Sequence, residues 1–436
     1  MLKAVAMVAV VLASSTNAIA GPREDCDNKG GEEAIKACTA VIRTNPRDIR
    51  PYTTRGLAYG ANGEYDRAIA DYTKAIEIDR KFGSDYSIAP AHSNRGLVYG
   101  AKGEVDREIL DHTKAIQIDP KYYPAYTNRG IAYRAKGEFD RAIADFTKAI
   151  EIQPKSGSAY YNRGNLYGTK RDYDRAIADF TKAIEINPKD EGAYKNRGIS
   201  YSAKDDHERA IADFTKAIEI NPKDATYYIQ RGDVYDAKGE TDRAIADYTK
   251  AIESEPKFDV AYRIRGLAYA TMGEADRAIA DHTKAIQIDP KFASHYFNRG
   301  HASFQKGAFK EAAGDFLRSL ELKDNVYGML YLFMARARAG EASAAELEAN
   351  AARLKTKEWP YAAIELLVGK RTPAATLPSA FEPLEICQAN FYISAWHLLK
   401  GDKDAAIKSL QAVVADTCKT VSEYRLAVAE LKRLKP

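Results

Sequence analysis

An arginine–glycine dipeptide returns eight times along the chain, at Arg55-Gly56, Arg95-Gly96, Arg129-Gly130, Arg163-Gly164, Arg197-Gly198, Arg231-Gly232, Arg265-Gly266 and Arg299-Gly300. The first interval is 40 residues and the six that follow are 34 each. A fixed period of this size constrains the fold more than anything else here. One copy is too short to bury its own apolar face, so copies must stack. No period-two alternation accompanies the repeat, which points to helical hairpins rather than strands. The six additional residues of the long interval fall around Gly83 to Ile88, between two units.

Residues 123–156 show the logic of one unit. Tyr126, Gly130 and Tyr133 are spaced i, i+4, i+7 and form one stripe of a first helix. Gly137 ends that helix, and Asp140 sits where an acid favours the start of a second. Ala142, Phe146 and Ala149 form the second stripe, and Pro154 stops it. Gly130 and Ala142 are small where the two helices approach, and the aromatic rings fill the space between them.

These offsets resemble the tetratricopeptide repeat (TPR) family, whose 34-residue helix pairs carry a large aromatic, Gly, Tyr, Ala, an aromatic, Ala and Pro. Full units begin near residues 49, 89, 123, 157, 191, 225, 259 and 293, after a half unit that matches at Ala34, Cys38, Val41 and Pro46. Departures are Arg80 in place of Pro, His92, His112 and His282 at aromatic offsets, and Ser303 in place of Tyr. The resemblance implies an all-α fold: an α-solenoid, a right-handed superhelix of antiparallel helix pairs, with an atypical helical C-terminal cap. The expected organisation is a signal peptide over 1–20, a half repeat over 21–48, eight repeats over 49–326 and a TPR-like cap over 327–436. In the family the residue before the unit Gly is usually Leu; here it is Arg every time. An Asp follows sixteen residues later in each unit, from Asp71 to Asp315. The two offsets can meet across a hairpin, which predicts a ladder of buried ion pairs; a polyanion-binding stripe is the functional alternative.

The N-terminus reads as an address. Met1-Leu2-Lys3 is followed by an apolar run from Ala4 to Ala13 and by Ala18-Ile19-Ala20, the layout of a cleaved secretory signal. The first Cys, Cys26, lies well past the cleavage point, so a lipid-anchor Cys is not indicated, and no later stretch is long enough to span a bilayer. The expectation is a periplasmic or secreted protein. Lys+Arg 65 against Asp+Glu 61 leaves a net charge of +4, too balanced for a nucleic-acid footprint.

After Asp324 the rhythm fades. Residues 326–339, 342–354 and 361–368 read as helices, and 369–383, with three Pro, as a loop. Residues 387–417 read as a further helix pair and 421–434 as a closing helix. The stretches Glu358-Trp359-Pro360, Glu365 to Gly369, Asn390 to Ile393, Glu423-Tyr424-Arg425 and Ala429-Glu430-Leu431 resemble the outer-membrane TPR lipoproteins that scaffold murein endopeptidases and a periplasmic processing protease. Those relatives carry a lipid anchor and fewer repeats, so their partners do not transfer automatically.

Four Cys allow three pairings. Cys387 and Cys418 bracket a helical hairpin, and Cys26 with Cys38 can staple the truncated first unit. The seven His are scattered and no C-x-x-C occurs, so neither a metal nor a cofactor is expected. His112 and His282 occupy core aromatic offsets and read as packed side chains, each with a hydrogen bond, rather than as ligands or catalysts. Zincin, Walker, dinucleotide and nucleophile-elbow motifs are missing, so no catalytic residue is expected.

Function in such an array belongs to the groove lined by the first helices. Two residues before the unit Gly stand Asn94, Asn128, Asn162, Asn196 and Asn298. Other candidate groove residues are Tyr161, Lys195, Arg263 and Phe297, three before the Gly, and Asn165, Asp233 and His301, one after it. An Asn row can bond an extended peptide backbone, while Leu57, Leu97, Ile131 and Ile199 accept apolar side chains. The competing reading of the Asn row is helix-to-helix bonding. The chaperone-tail clamp of some relatives needs Asn four residues after a Lys, but Lys195 is followed by Ile199. The expectation is a non-catalytic scaffold for protein or peptide partners, with murein hydrolases or envelope proteases as clients. The alternative is a murein- or glycan-binding module in which Tyr161 and Phe297 stack on sugars. Self-association through the Tyr-rich first helices is a further option.

Overall fold

The computed structural model describes residues 22–83, 87–414, 418 and 422–434; the expected signal peptide and part of the six-residue insertion lie outside them. Twenty-five α-helices are present among the described residues, in two compact units divided between Asp206 and His207. None is long and apolar enough to cross a membrane.

The first unit opens with α1 (Pro22–Asn28) and α2 (Gly31–Thr44). Four hairpins follow: α3 (Ile49–Ala61) with α4 (Tyr65–Phe82), α5 (Ala89–Ala101) with α6 (Val105–Ile118), α7 (Tyr123–Ala135) with α8 (Phe139–Ile152), and α9 (Gly157–Thr169) with α10 (Tyr173–Ile186). It ends with α11 (Glu191–Ser202). The second unit begins with α12 (His207–Ile220) and continues as α13 (Ala225–Ala237) with α14 (Thr241–Ser254), α15 (Asp259–Thr271) with α16 (Ala275–Ile288), and α17 (Ala293–Lys306) with α18 (Phe309–Leu322). Its remainder is α19 (Val326–Ala339), α20 (Ala344–Ala351), α21 (Tyr361–Leu367), α22 (Pro373–Thr376), α23 (Pro383–Leu399), α24 (Lys403–Val413) and α25 (Ser422–Leu434). Residues 369–383, expected as a loop, thus contain α22, and α23 starts four residues early because Pro383 suits the first helical position and Glu382 with Glu385 forms a capping box.

Each hairpin follows from its sequence. Gly130 lets α7 press on α8: a Cβ there would sit 2.8 Å from the Phe146 ring. Gly137 turns the chain at φ +77, in the left-handed region that costs glycine nothing. Arg171 (φ 60) and Asp205 (φ 57) hold the same turn in later periods without that freedom.

The arginines close the stack. Arg55, Arg95, Arg129 and Arg163 in the first unit, and Arg231, Arg265 and Arg299 in the second, put Nε and Nη2 on the two oxygens of their Asp at 2.7–2.8 Å. These carboxylates are only 4–7% exposed, so the bidentate geometry is what makes their burial tolerable. The remaining Nη1 reaches back to a Thr of the preceding period at 2.9–3.2 Å, in all eight cases from Arg55–Thr39 to Arg299–Thr283. These seven arginines therefore each tie their own hairpin shut and bolt it to the one before. Tyr126 and Tyr133 flank the Arg129 guanidinium, each ring centroid 5.8 Å away.

The largest core lies at the C-terminal end, where α17 to α19 pack with α21 and α23 to α25. Tyr331 stacks on Phe316 at 5.5 Å. Its hydroxyl donates to the fully buried Glu423 at 2.9 Å, and Tyr392 and Gln388 also donate to that carboxylate. Cys26 is bonded to Cys38 and Cys387 to Cys418, with Cα separations of 4.7 and 5.7 Å. The first bond ties α1 onto α2, so the short first element is held by covalent as well as apolar contact.

Candidate functional site

In the first unit the first helices of successive hairpins leave a recess of ≈ 400 Å³ bounded by α7, α9, α10 and α11. Its polar wall is Arg134, Asn165, Thr169 and Asn196; Leu166 and Ile199 are among the apolar wall. These side chains meet because they share offsets from the unit Gly. Asn165 and Ile199 stand one after it, Arg134 four, Thr169 five, and Asn196 two before.

The asparagines do not form a free row. Asn196 Nδ2 donates to Asn165 Oδ1 at 2.7 Å and to the Tyr161 hydroxyl at 3.2 Å. Asn162 donates to the Ser158 carbonyl and accepts from Arg134 Nη1, both at 2.9 Å. Asn128 donates to Ser93 Oγ at 3.5 Å. Asn94 and Asn298 are half-buried. Three of the five amides thus serve contacts between helices, the competing reading. The donors left facing the recess are the Asn165 amide and the rest of the Arg134 guanidinium. Neither Arg134 nor the half-buried Lys195 has a carboxylate partner among the described residues. Ile199 is 40% exposed, so apolar contact is available beside these donors.

The second unit differs. Asp233 accepts from the Tyr248 hydroxyl at 2.9 Å, and Arg263 is half-buried. Phe297 and His301, expected in an open groove, are corrected by the C-terminal helices: the Phe297 ring packs edge-on against Phe316 and Tyr331 at 5.7 and 5.9 Å, and His301 against Tyr331 at 5.1 Å. Helix α25 covers the same end, with Arg425 bonded to Thr271 and Arg433 Nη2 to the Gln305 carbonyl. Burial pushes the His301 imidazole down to about 3. Tyr161 is half-buried, its ring tilted against Phe180 at 6.0 Å.

Arg134 and Thr169 were not among the residues expected from sequence. The sequence signal was weak: four after the unit Gly five periods carry Gly, Ser or Ala, but Asp236 and Phe304 break that pattern as Arg134 does, and Thr271 shares the offset of Thr169.

Family models described as tetratricopeptide repeat match residues 49–82, 123–156, 157–190, 192–224 and 225–258, and one described as TPR repeat matches 266–307. The Hsp70-Hsp90 organizing protein 3 of Arabidopsis thaliana is 36% identical over 55 residues, 13% of this chain and 10% of that one, so the match spans about a tenth of that relative's length. Among solved structures, a tetratricopeptide repeat protein from Parabacteroides merdae is 24% identical, covering 55% of this chain and 93% of that one at a TM-score of 0.43. MamA is 32% identical over 38% of this chain and 96% of its own, TM-score 0.36. YrrB, described as a TPR protein with an unusual peptide-binding site, is 27% identical over 41% of this chain and 92% of its own, TM-score 0.37.

Proposed function

On the premise that its repeats are tetratricopeptide repeats, we propose that the chain is an exported, non-catalytic scaffold that holds a polypeptide partner on the first helices of its hairpins. The observation that carries this reading is the recess in the first unit. It sets hydrogen-bond donors, Arg134 and Asn165, beside the exposed Ile199. That combination suits the carbonyls and apolar side chains of a bound segment. The rigid stack offers the surface preformed, so little ordering opposes binding. Export rests on the N-terminal address and agrees with two disulfides, which persist in oxidising compartments. Murein hydrolases and envelope proteases are the clients to look for first.

The test is retention of partners from an envelope extract on immobilised protein, compared with an Ile199→Glu variant. Ile199 is exposed enough for the variant to fold. The wild type is expected to retain a protein that the variant loses. Retention of murein fragments in place of any protein would overturn the reading in favour of a glycan-binding module.

A further inference from the structure

The second unit contains a cavity of ≈ 410 Å³ between α19, α23 and α25. That is within the range of ligand pockets, about 300–1,000 Å³. Phe304, Met334, Phe391, Leu398 and Leu399 give it apolar walls. Arg338 and Glu430 are its charged groups.

The charges do not balance. Glu430, with a side chain 4% exposed, accepts from Arg338 on one oxygen and from Arg433 on the other. Among the described residues two guanidiniums thus share one carboxylate, and one positive charge of this group is left over. Arg433 is otherwise engaged: its Nη2 donates to the carbonyls of Phe304 and Gln305. Arg338 lies over the Phe309 ring at 4.7 Å, and Glu430 is its one hydrogen-bond partner among the described residues. A guanidinium carries five N–H donors, so Arg338 brings unused donors and the surplus charge to the wall of an apolar cavity.

We propose that this cavity binds a straight-chain carboxylate amphiphile, the chemistry of a fatty acid, with the alkyl chain among Met334, Phe391, Leu398 and Leu399 and the carboxylate on Arg338. The carboxylate supplies the counter-charge the Arg338–Glu430–Arg433 group lacks, and the chain removes apolar wall from water. A neutral chain of equal length satisfies only the second demand, because it leaves the donors of Arg338 that do not reach Glu430 without an ionic acceptor.

The experiment is calorimetric titration of the full chain with decanoate and with decanol. Decanoate is expected to bind saturably at one site, about tenfold or more tighter than decanol. Arg338→Gln keeps Glu430 paired with Arg433 and is expected to abolish that preference while leaving decanol binding unchanged. Leu399→Asp, at a rim position 40% exposed, sets a negative charge at the mouth and is expected to weaken decanoate more than decanol. It decides the matter should Arg338→Gln unfold. The proposal is overturned by unsaturable decanoate binding, by equal affinities for acid and alcohol, or by a preference that survives both substitutions.

Discussion

A half-buried arginine is an expensive choice for a position that relatives fill with leucine, and its neighbours explain how it is sustained. Arg163 places two N–H groups on Asp179 and a third on Thr147 at 2.8–2.9 Å. Replacing it with Met strands a carboxylate that is 5% exposed. Arg163→Met should therefore lower stability in urea by about 3–5 kcal/mol, and Arg163→Met with Asp179→Leu should recover most of the loss. A neutral single substitution would refute the ladder as a structural device. His282 makes a second prediction. It stands where other periods hold Phe146 and Phe180, fully buried, and, against the hydrogen bond expected of it, neither ring nitrogen has a partner among the described residues. Burial pushes its pKa from 6.5 down to about 3. The unfolded chain therefore takes up a proton below 6.5 that the folded chain refuses until about 3, so stability falls as pH falls through that window. Between pH 7 and pH 5 the wild type should lose about 2 kcal/mol more than His282→Phe, read from urea midpoints at each pH.

At the scale of the helix and the hairpin, glycines separate by what stands opposite them. Gly130→Ala drives a Cβ to within 2.8 Å of Phe146 and should destabilise by about 1–3 kcal/mol. Gly168, also inside a first helix, has nothing within 4 Å of that position, so Gly168→Ala should hold or raise the melting temperature. The hairpins were legible in the sequence because period, glycine and proline each act locally. So was the Arg–Asp pairing, since both residues recur at fixed offsets. The Arg–Thr bond was not seen, although a Thr stands two residues after seven of the eight Asp, from Thr73 to Thr283. Its hydroxyl also donates to its own helix, as Thr147 does to the Ile143 carbonyl, and such a Thr looks like an ordinary helix residue until the next hairpin is in place. The two readings of the Asn row could not be separated in the sequence for a related reason: Asn196 meets Asn165 and Tyr161 only after α9 and α11 have packed.

The whole molecule is a repeat array with unequal ends. At one end a disulfide holds α1 against α2; at the other, α19 to α25 build the largest core and cover Phe297 and His301. No repeat rule could reveal that cover, because α25 meets α17 only through contacts more than a hundred residues apart in sequence. Between the ends, the backward bond of each arginine governs what lengths are permitted. Deleting residues 157–190 would bring Arg197 to Thr147 in place of Thr181, with every donor again facing its acceptor. That variant should fold with a single cooperative loss of helical signal on heating, whereas deleting 157–173 should not fold. Heredity can use the same rule. When a gene misaligns with its own copy during recombination, a slip of one full period yields a daughter whose joints already match, and a slip that cuts into a hairpin yields a broken one; extra residues are tolerated only between hairpins, as in the 40-residue first interval, where Arg95 still reaches Thr73.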